Sequence, residues 1–306
     1  MRAGSHLERV MEKGLFAVTG QLIPPKGNDA GGVKKKAELL RGYVDAVNVT
    51  DNQRAMVRMS SMAASSLLIG MGLEPVMQMV TRDRNRIALQ SDILGSTALG
   101  VKNLLLLTGD HPCLGNQVDS KNVHDLDSVQ LIDCARRMRE EGKILGGEGF
   151  AGEVGILIGA VVNPFGDPFE FRVVRLAKKI DAGADFVQTQ PVFDMNRFKE
   201  WMGMVRDRGL HERVHIMAGV VPLKSAAMAE FLRSGVPGIT VPDNVIGRMA
   251  KASEPAEEGI RICVEQIEEL KEMEGIHGVH IMTVDWEEKA GQIAEMAGLL
   301  PRPVLW

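Results

Sequence analysis

The chain has 306 residues, 45% of them hydrophobic, and a formal net charge of −4. That supplies a full core but no basic footprint for nucleic acid or an anionic membrane. Three cysteines are too few and too scattered for a disulfide framework or a Cys-x-x-Cys metal site. No apolar run approaches a membrane span and the first residues lack the apolar core of a signal peptide, so we expect a soluble, cytoplasmic protein.

Strand-like and helix-like stretches alternate along the chain. The first strand is expected over 15–23, closed by Pro24 and Pro25, with a charged helix over 33–41. A second strand over 44–50 leads to Met56, Met59, Ala63 and Leu67 at helical spacing. The third strand, 75–80, is followed by a helix over 85–99. The fourth, 101–107, is a continuous apolar run that stops abruptly at Thr108-Gly109-Asp110, as a strand buried on both faces does at a polar mouth. A polar loop over 113–125 precedes a helix over 126–141 and a glycine-rich connection over 142–155. Strand five is expected over 156–162, its helix over 170–182, strand six over 185–188 and a helix over 198–208. Strand seven, 214–219, is followed by two helices (225–234 and 256–274), strand eight over 279–283 and a closing helix over 287–296. Eight such pairs without a long linker predict an α/β chain forming one parallel (β/α)8 TIM barrel over 1–306, with an open doubly wound sheet as the alternative.

In such a barrel the working face is built from the loops after the strands. The strand ends carry Gln21, Thr50, Gln78, Asp110, Asn163, Gln190 and Thr283. Each alone suits a loop cap. Together they form a hydrogen-bonding ring with a single carboxylate, suited to gripping a flat heteroaromatic by its edges. Gly109 permits close backbone approach and Asp110 sets a carboxylate at the rim.

Other patterns carry less. Gly147-Glu148-Gly149-Phe150-Ala151-Gly152 fits G-x-G-x-x-G but precedes a strand, whereas the dinucleotide fingerprint follows one. His277 and His280 would face opposite sides of a strand, and no cysteine or carboxylate cluster joins them or His211 and His215, so no metal site is expected. Lys178-Lys179 read either as surface residues or as a phosphate clamp. Cys113 reads as a loop residue.

The accumulated pattern resembles the methylenetetrahydrofolate reductase family over nearly the whole chain. The resemblance is carried by residues 20–25, Asn48-Val49-Thr50, residues 107–112, residues 179–185, residues 189–194, residues 218–222 and the late Val279-His280 strand. It implies a flavin-dependent barrel that reduces 5,10-methylenetetrahydrofolate to 5-methyltetrahydrofolate, with FAD as cofactor and FMN as the alternative. It implies Asp110 beside flavin and pterin. Thr50, Gln78, Gly109, His124, Ala160, Asn163 and Lys179 would contact the flavin or its phosphate–adenosine tail, and Gln190 the folate. Gln78 and His124 differ in type from the family's commoner residues. So do Arg172 and Arg175, and Trp286 replaces a basic substrate contact. The main departure is Gln21, which occupies the position of the family's usual glutamic acid and cannot serve as a proton donor. The electron source stays open between a nicotinamide and a partner subunit, within a homo- or hetero-oligomer. Two rival functions stay open as well: a flavin-free methyltetrahydrofolate-binding methyltransferase, and a catalytically silent flavin subunit of an electron-transfer complex.

Overall fold

A computed structural model describes residues 1–305. Eight strands close a barrel: β1 Ala17–Leu22, β2 Ala46–Val49, β3 Pro75–Val80, β4 Asn103–Leu107, β5 Leu157–Val162, β6 Phe186–Pro191, β7 His215–Val220 and β8 Gly278–Ile281. Every neighbouring pair is parallel, including β8 with β1, so no edge is left and the open-sheet alternative is excluded.

The helices are α1 His6–Glu12, α2 Ala30–Glu38, α3 Ser61–Ile69, α4 Arg86–Ala98, α5 Ser128–Glu141, α6 Phe169–Ala182, α7 Met195–Asp207, α8 Ala226–Gly235, α9 Asp243–Lys251, α10 Pro255–Lys271 and α11 Lys289–Met296. Local chemistry sets several of the starts. Asp127 and Gln130 form a reciprocal capping box on α5, Asn85 caps α4 and Asp194 caps α7. Met56 and Met59 lie ahead of α3, because Ser60 caps the helix only there. Strand β6 runs to Pro191, three residues past its expected end, through an irregularity in its pairing with β7 between Gln188 and Pro191. Such irregularities re-aim side chains at a barrel rim, and this one turns Gln190 toward the mouth.

Two helices escape the sequence reading. Helix α1 buries Leu7, Val10 and Met11 against Ala17, Ala46, Val76, Leu105, Leu157, Phe186 and Met217, and so stoppers the N-terminal end of the barrel. Helix α9 covers the segment between α8 and α10, with Val245 and Met249 in a small satellite core.

Inside the barrel, side chains stack in layers. The apolar bottom layer includes Phe186, whose ring fills the space left by Gly159; a Cβ there would stand 2.3 Å from Phe186 Cζ. The layer above is polar. Asn48 Nδ2 donates to Gln188 Oε1 at 2.5 Å, Gln188 Nε2 donates to Thr19 Oγ1 at 3.2 Å, and Thr19 Oγ1 meets His280 Nδ1 at 3.0 Å. All four residues are buried. The expectation that His277 and His280 face opposite sides holds: His277 sits just before β8, its Nδ1 accepting from Ile216 N–H at 3.1 Å and its ring edge-on to His215. No group of histidine, cysteine or carboxylate side chains among the described residues is arranged to hold a metal ion.

Candidate active site

A cavity of about 770 Å³ opens at the C-terminal ends of the strands. Its volume lies in the range of cofactor and small-molecule sites. Gln21, Thr50, Gln78, Gly109, Asp110, Asn163, Lys179 and Gln190 all line it. The chain therefore converges on one mouth from strands one to six, as the strand-end reading requires.

Three expected positions stand elsewhere. Ala160 is fully buried in the cluster between barrel and helices, because alternation along β5 turns its neighbour Val161 into the cavity instead. His124 is exposed on the loop before α5, in a left-handed conformation (φ 42°), outside the cavity lining. Thr283 is buried off the lining.

The floor is short of partners. Gln21 Nε2 and Thr50 Oγ1 are buried without a hydrogen-bond partner. An unpaired buried polar group costs about 1–3 kcal/mol, so these atoms favour a ligand that supplies the missing partners. At the rim, Asp110 is exposed and its Oδ2 accepts from Arg54 N–H at 2.9 Å. Gly109 has φ 90°, and a Cβ there would press on Val80 and on the guanidinium of Arg82. That guanidinium donates to the carbonyl of Asp110 at 2.9 Å and so fixes the loop.

The lining is more charged than the strand-end ring alone. Asp51 and Asp285 join Asp110, so the ring's single carboxylate becomes three. Asp51 is fully occupied: Val80 N–H donates at 3.0 Å and Arg84 at 2.7 Å. Asp285 pairs with Lys36 at 2.6 Å. Against these three stand seven cations: Lys26, Arg54, Arg58, Arg82, Arg172, Arg175 and Lys179. A cationic surplus inside a net-acidic chain points to an anionic ligand.

Arg172, Arg175 and Lys179 sit at helical spacing on one face of α6, while Lys178 points to solvent. Lys179 is buried and donates to the Val161 carbonyl. Burial, reinforced by the nearby Arg175, lowers its pKa to about 8. An ammonium held beside other cations, with no carboxylate in contact, is poised for an anion. Of the lysine pair, only Lys179 serves the cavity. His280 also lines it, from the polar layer below Gln21. In the sequence, His280 stands out as a candidate metal ligand and within the Val279-His280 strand of the resemblance, with no role of its own at the mouth. The signal that marks it is alternation on β8, which places it on the same face as Gly278, toward the barrel axis.

The family model described as methylenetetrahydrofolate reductase matches residues 6–298. A Caenorhabditis elegans protein named "Probable methylenetetrahydrofolate reductase (NADPH)" is 24% identical over 251 residues, 79% of this chain and 35% of its own length. Methylenetetrahydrofolate reductase 2 of Saccharomyces cerevisiae is 30% identical over 131 residues, 41% of this chain and 21% of its own length. This chain thus spans about a third or less of those two relatives. Among solved structures, an uncharacterized Clostridium thermocellum protein that binds two copies of 5-methyl-5,6,7,8-tetrahydrofolic acid superposes with a TM-score of 0.67 at 14% identity, covering 96% of this chain and 98% of the other. That likeness speaks to the fold. The family match over residues 6–298 settles the membership: the chain belongs to the methylenetetrahydrofolate reductase family.

Proposed function

We propose that the chain, acting as one catalytic unit, is a flavin-dependent oxidoreductase interconverting 5,10-methylenetetrahydrofolate and 5-methyltetrahydrofolate. The observation that supports it most is the pairing of two features in one cavity. Buried, unpartnered Gln21 Nε2 and Thr50 Oγ1 lie among neutral strand-end residues, and the Arg172–Arg175–Lys179 face flanks them. A flavin nucleotide has that division, an uncharged polar ring edge and an anionic tail.

The residues present fit the group. Gln78 and Thr50 would meet the ring edge, Gly109 would let the backbone approach, and Asn163 with Lys179, Arg172 and Arg175 would hold the phosphates. FAD is the form we propose, since three cations on one helix face suit a diphosphate. Flavin supplies hydride acceptance and donation at its ring. The chain's own groups do the rest. Gln190 and Asp110 would orient the pterin, and the barrel walls would exclude water from the reacting carbon. Gln21 would donate a hydrogen bond without donating a proton. Electrons would come from a nicotinamide or from a partner subunit.

The test is anaerobic. Purified protein reconstituted with FAD or FMN is mixed with methyltetrahydrofolate, and the flavin absorbance is followed. Bleaching, with recovery on adding an artificial acceptor, is expected. Failure to retain either flavin would exclude the reading and favour the flavin-free methyltransferase. Gln21 favours a second reading, a flavin subunit without methylene–methyl turnover. That reading predicts retained flavin, no bleaching, and activity gained by Gln21→Glu.

A further inference from the structure

We propose that His280 is the proton-accepting residue of this cavity, a role that the Gln21 amide above it cannot fill. The proposal rests on the methylene–methyl reading and deepens it. It starts from elimination. The carboxylate of Asp51 is saturated by Val80 N–H and Arg84, and that of Asp285 is exposed at the rim and paired with Lys36. Lys179 donates to the Val161 carbonyl and stands on the phosphate face of α6 with Arg172 and Arg175. Asp110 stands exposed at the rim, engaged by Arg54 N–H, and Lys26 is exposed on the loop after β1. Among the described residues, His280 is the one titratable cavity-lining side chain that comes from within a strand.

Its placement suits the role. Thr19 pairs with His280 across β1 and β8, and Gln21 is two residues further along the same face of β1. Gln21 is therefore the diagonal neighbour one layer toward the mouth, within reach of a long side chain. Thr19 Oγ1, which already accepts from Gln188 Nε2, lies 3.0 Å from Nδ1; the role needs the tautomer in which Nδ1–H donates to that oxygen and Nε2 is the bare nitrogen. The ring is fixed by packing and hydrogen bonds, the condition for a preorganised base.

The surroundings keep it neutral. The polar layer around it is uncharged: Thr19 from β1, Asn48 from β2 and Gln188 from β6, with Gly219 opposite on β7. Burial lowers its pKa to about 4 against a smaller opposing hydrogen bond to the Thr19 backbone, and the charged groups on the cavity walls, borne by the loops after β1, β2, β3, β4 and β8 and by α6, are not among the causes. At neutral pH the imidazole is thus in the form that takes a proton. In the methyl-to-methylene direction, a bound flavin would supply the hydride acceptance at the methyl carbon. The aryl-amine nitrogen then forms the new carbon–nitrogen bond, and its N–H proton passes to His280 Nε2 and on to solvent. An aryl ammonium is acidic enough for so weak a base to accept its proton.

The experiment compares unmodified, His280→Asn and His280→Ala proteins loaded with FAD, mixed anaerobically with methyltetrahydrofolate. Affinity is measured separately by calorimetry on the reduced, flavin-loaded proteins, where no turnover occurs. Methylene product should form about 10²–10⁴-fold more slowly in His280→Asn, the span typical of a lost general base. Affinity should stay within about threefold. Added imidazoles should rescue His280→Ala at rates that follow their own pKa values. Thr19→Val frees Nδ1 without emptying the floor. It should slow turnover about tenfold and move the acid limb of the pH–rate profile, so it keeps the proposal testable should His280→Ala not fold. An undiminished rate in His280→Asn overturns the proposal, as does a slowing matched by lost affinity without rescue, or an unmoved profile in Thr19→Val. No flavin reduction in the unmodified protein overturns the underlying functional reading as well, which separates the two failures.

Discussion

Lys179 and Gln21 show how single residues set the chemistry here. Lys179 is buried beside Arg175 and is charged below about pH 8. As pH rises through that value the unliganded lysine loses its proton, so affinity for a phosphate-bearing flavin should fall, as a fluorescence titration across the range would show. Lys179→Met should weaken flavin binding at neutral pH about tenfold or more, since a charge-assisted hydrogen bond is worth roughly 1.5–3 kcal/mol. An unchanged dissociation constant would remove Lys179 from the phosphate site. Gln21→Glu should speed methyl formation from methylenetetrahydrofolate on reduced flavin at slightly acid pH, where the new carboxyl can protonate the leaving nitrogen. Most of these residues were legible because strand ends announce themselves: an apolar run stops at a polar residue, as at Leu107 and Asp110. Arg54 and Arg82 were not, because a loop arginine gives no periodic signal of where it points. Ala160 was carried by resemblance alone, and the alternation of β5 takes it to the helix side.

Among the elements, the strands were read better than the helices that cap the barrel. Helix α1 has three apolar residues in seven, too few turns for periodicity to stand out, yet Leu7 is fully buried. Leu7→Ala should cost about 2–5 kcal/mol in urea denaturation, with a cavity left under the barrel. A loss below about 0.5 kcal/mol would mean that α1 only rests on the surface. Helix α9 was hidden by Gly247 near its middle and by its short length. On β5, Gly159 leaves room for Phe186. Gly159→Ala should destabilise by about 1–3 kcal/mol through overpacking, and Phe186→Leu in the same chain should recover part of the loss.

For the whole molecule, the alternation of strands and helices was enough to predict the parallel barrel, because each strand–helix pair is local. Closure itself depends on register between β8 and β1, more than 250 residues apart, which no local pattern encodes. Stability should respond to acid through the half-buried His277 and the buried His280. Burial first, then the neighbouring His215 and His211, lowers the pKa of His277 from 6.5 to about 4. Burial does the same for His280. Unfolding releases both to ordinary values, so the unfolded chain binds more protons in that window. Their contribution is therefore present above pH 6.5 and lost as pH falls toward about 4. Chemical denaturation at stepped pH should show that decline, and His277→Gln should flatten it. A stability flat across the window would contradict the lowered proton affinity of both rings.

The stopper formed by α1 and the apolar bottom layer has a consequence for traffic. The barrel is a vessel with one entrance: Leu7, Val10, Met11 and Phe186 seal the far end, and the polar layer with His280 sits on that seal. Any proton released at the floor would leave by the same opening that admits a ligand. An occupant of the mouth therefore corks the floor, and the floor exchanges with solvent only when that occupant departs. Reactants that need the deepest position must take turns there, and the order of departure, as much as the chemistry, would pace the cycle.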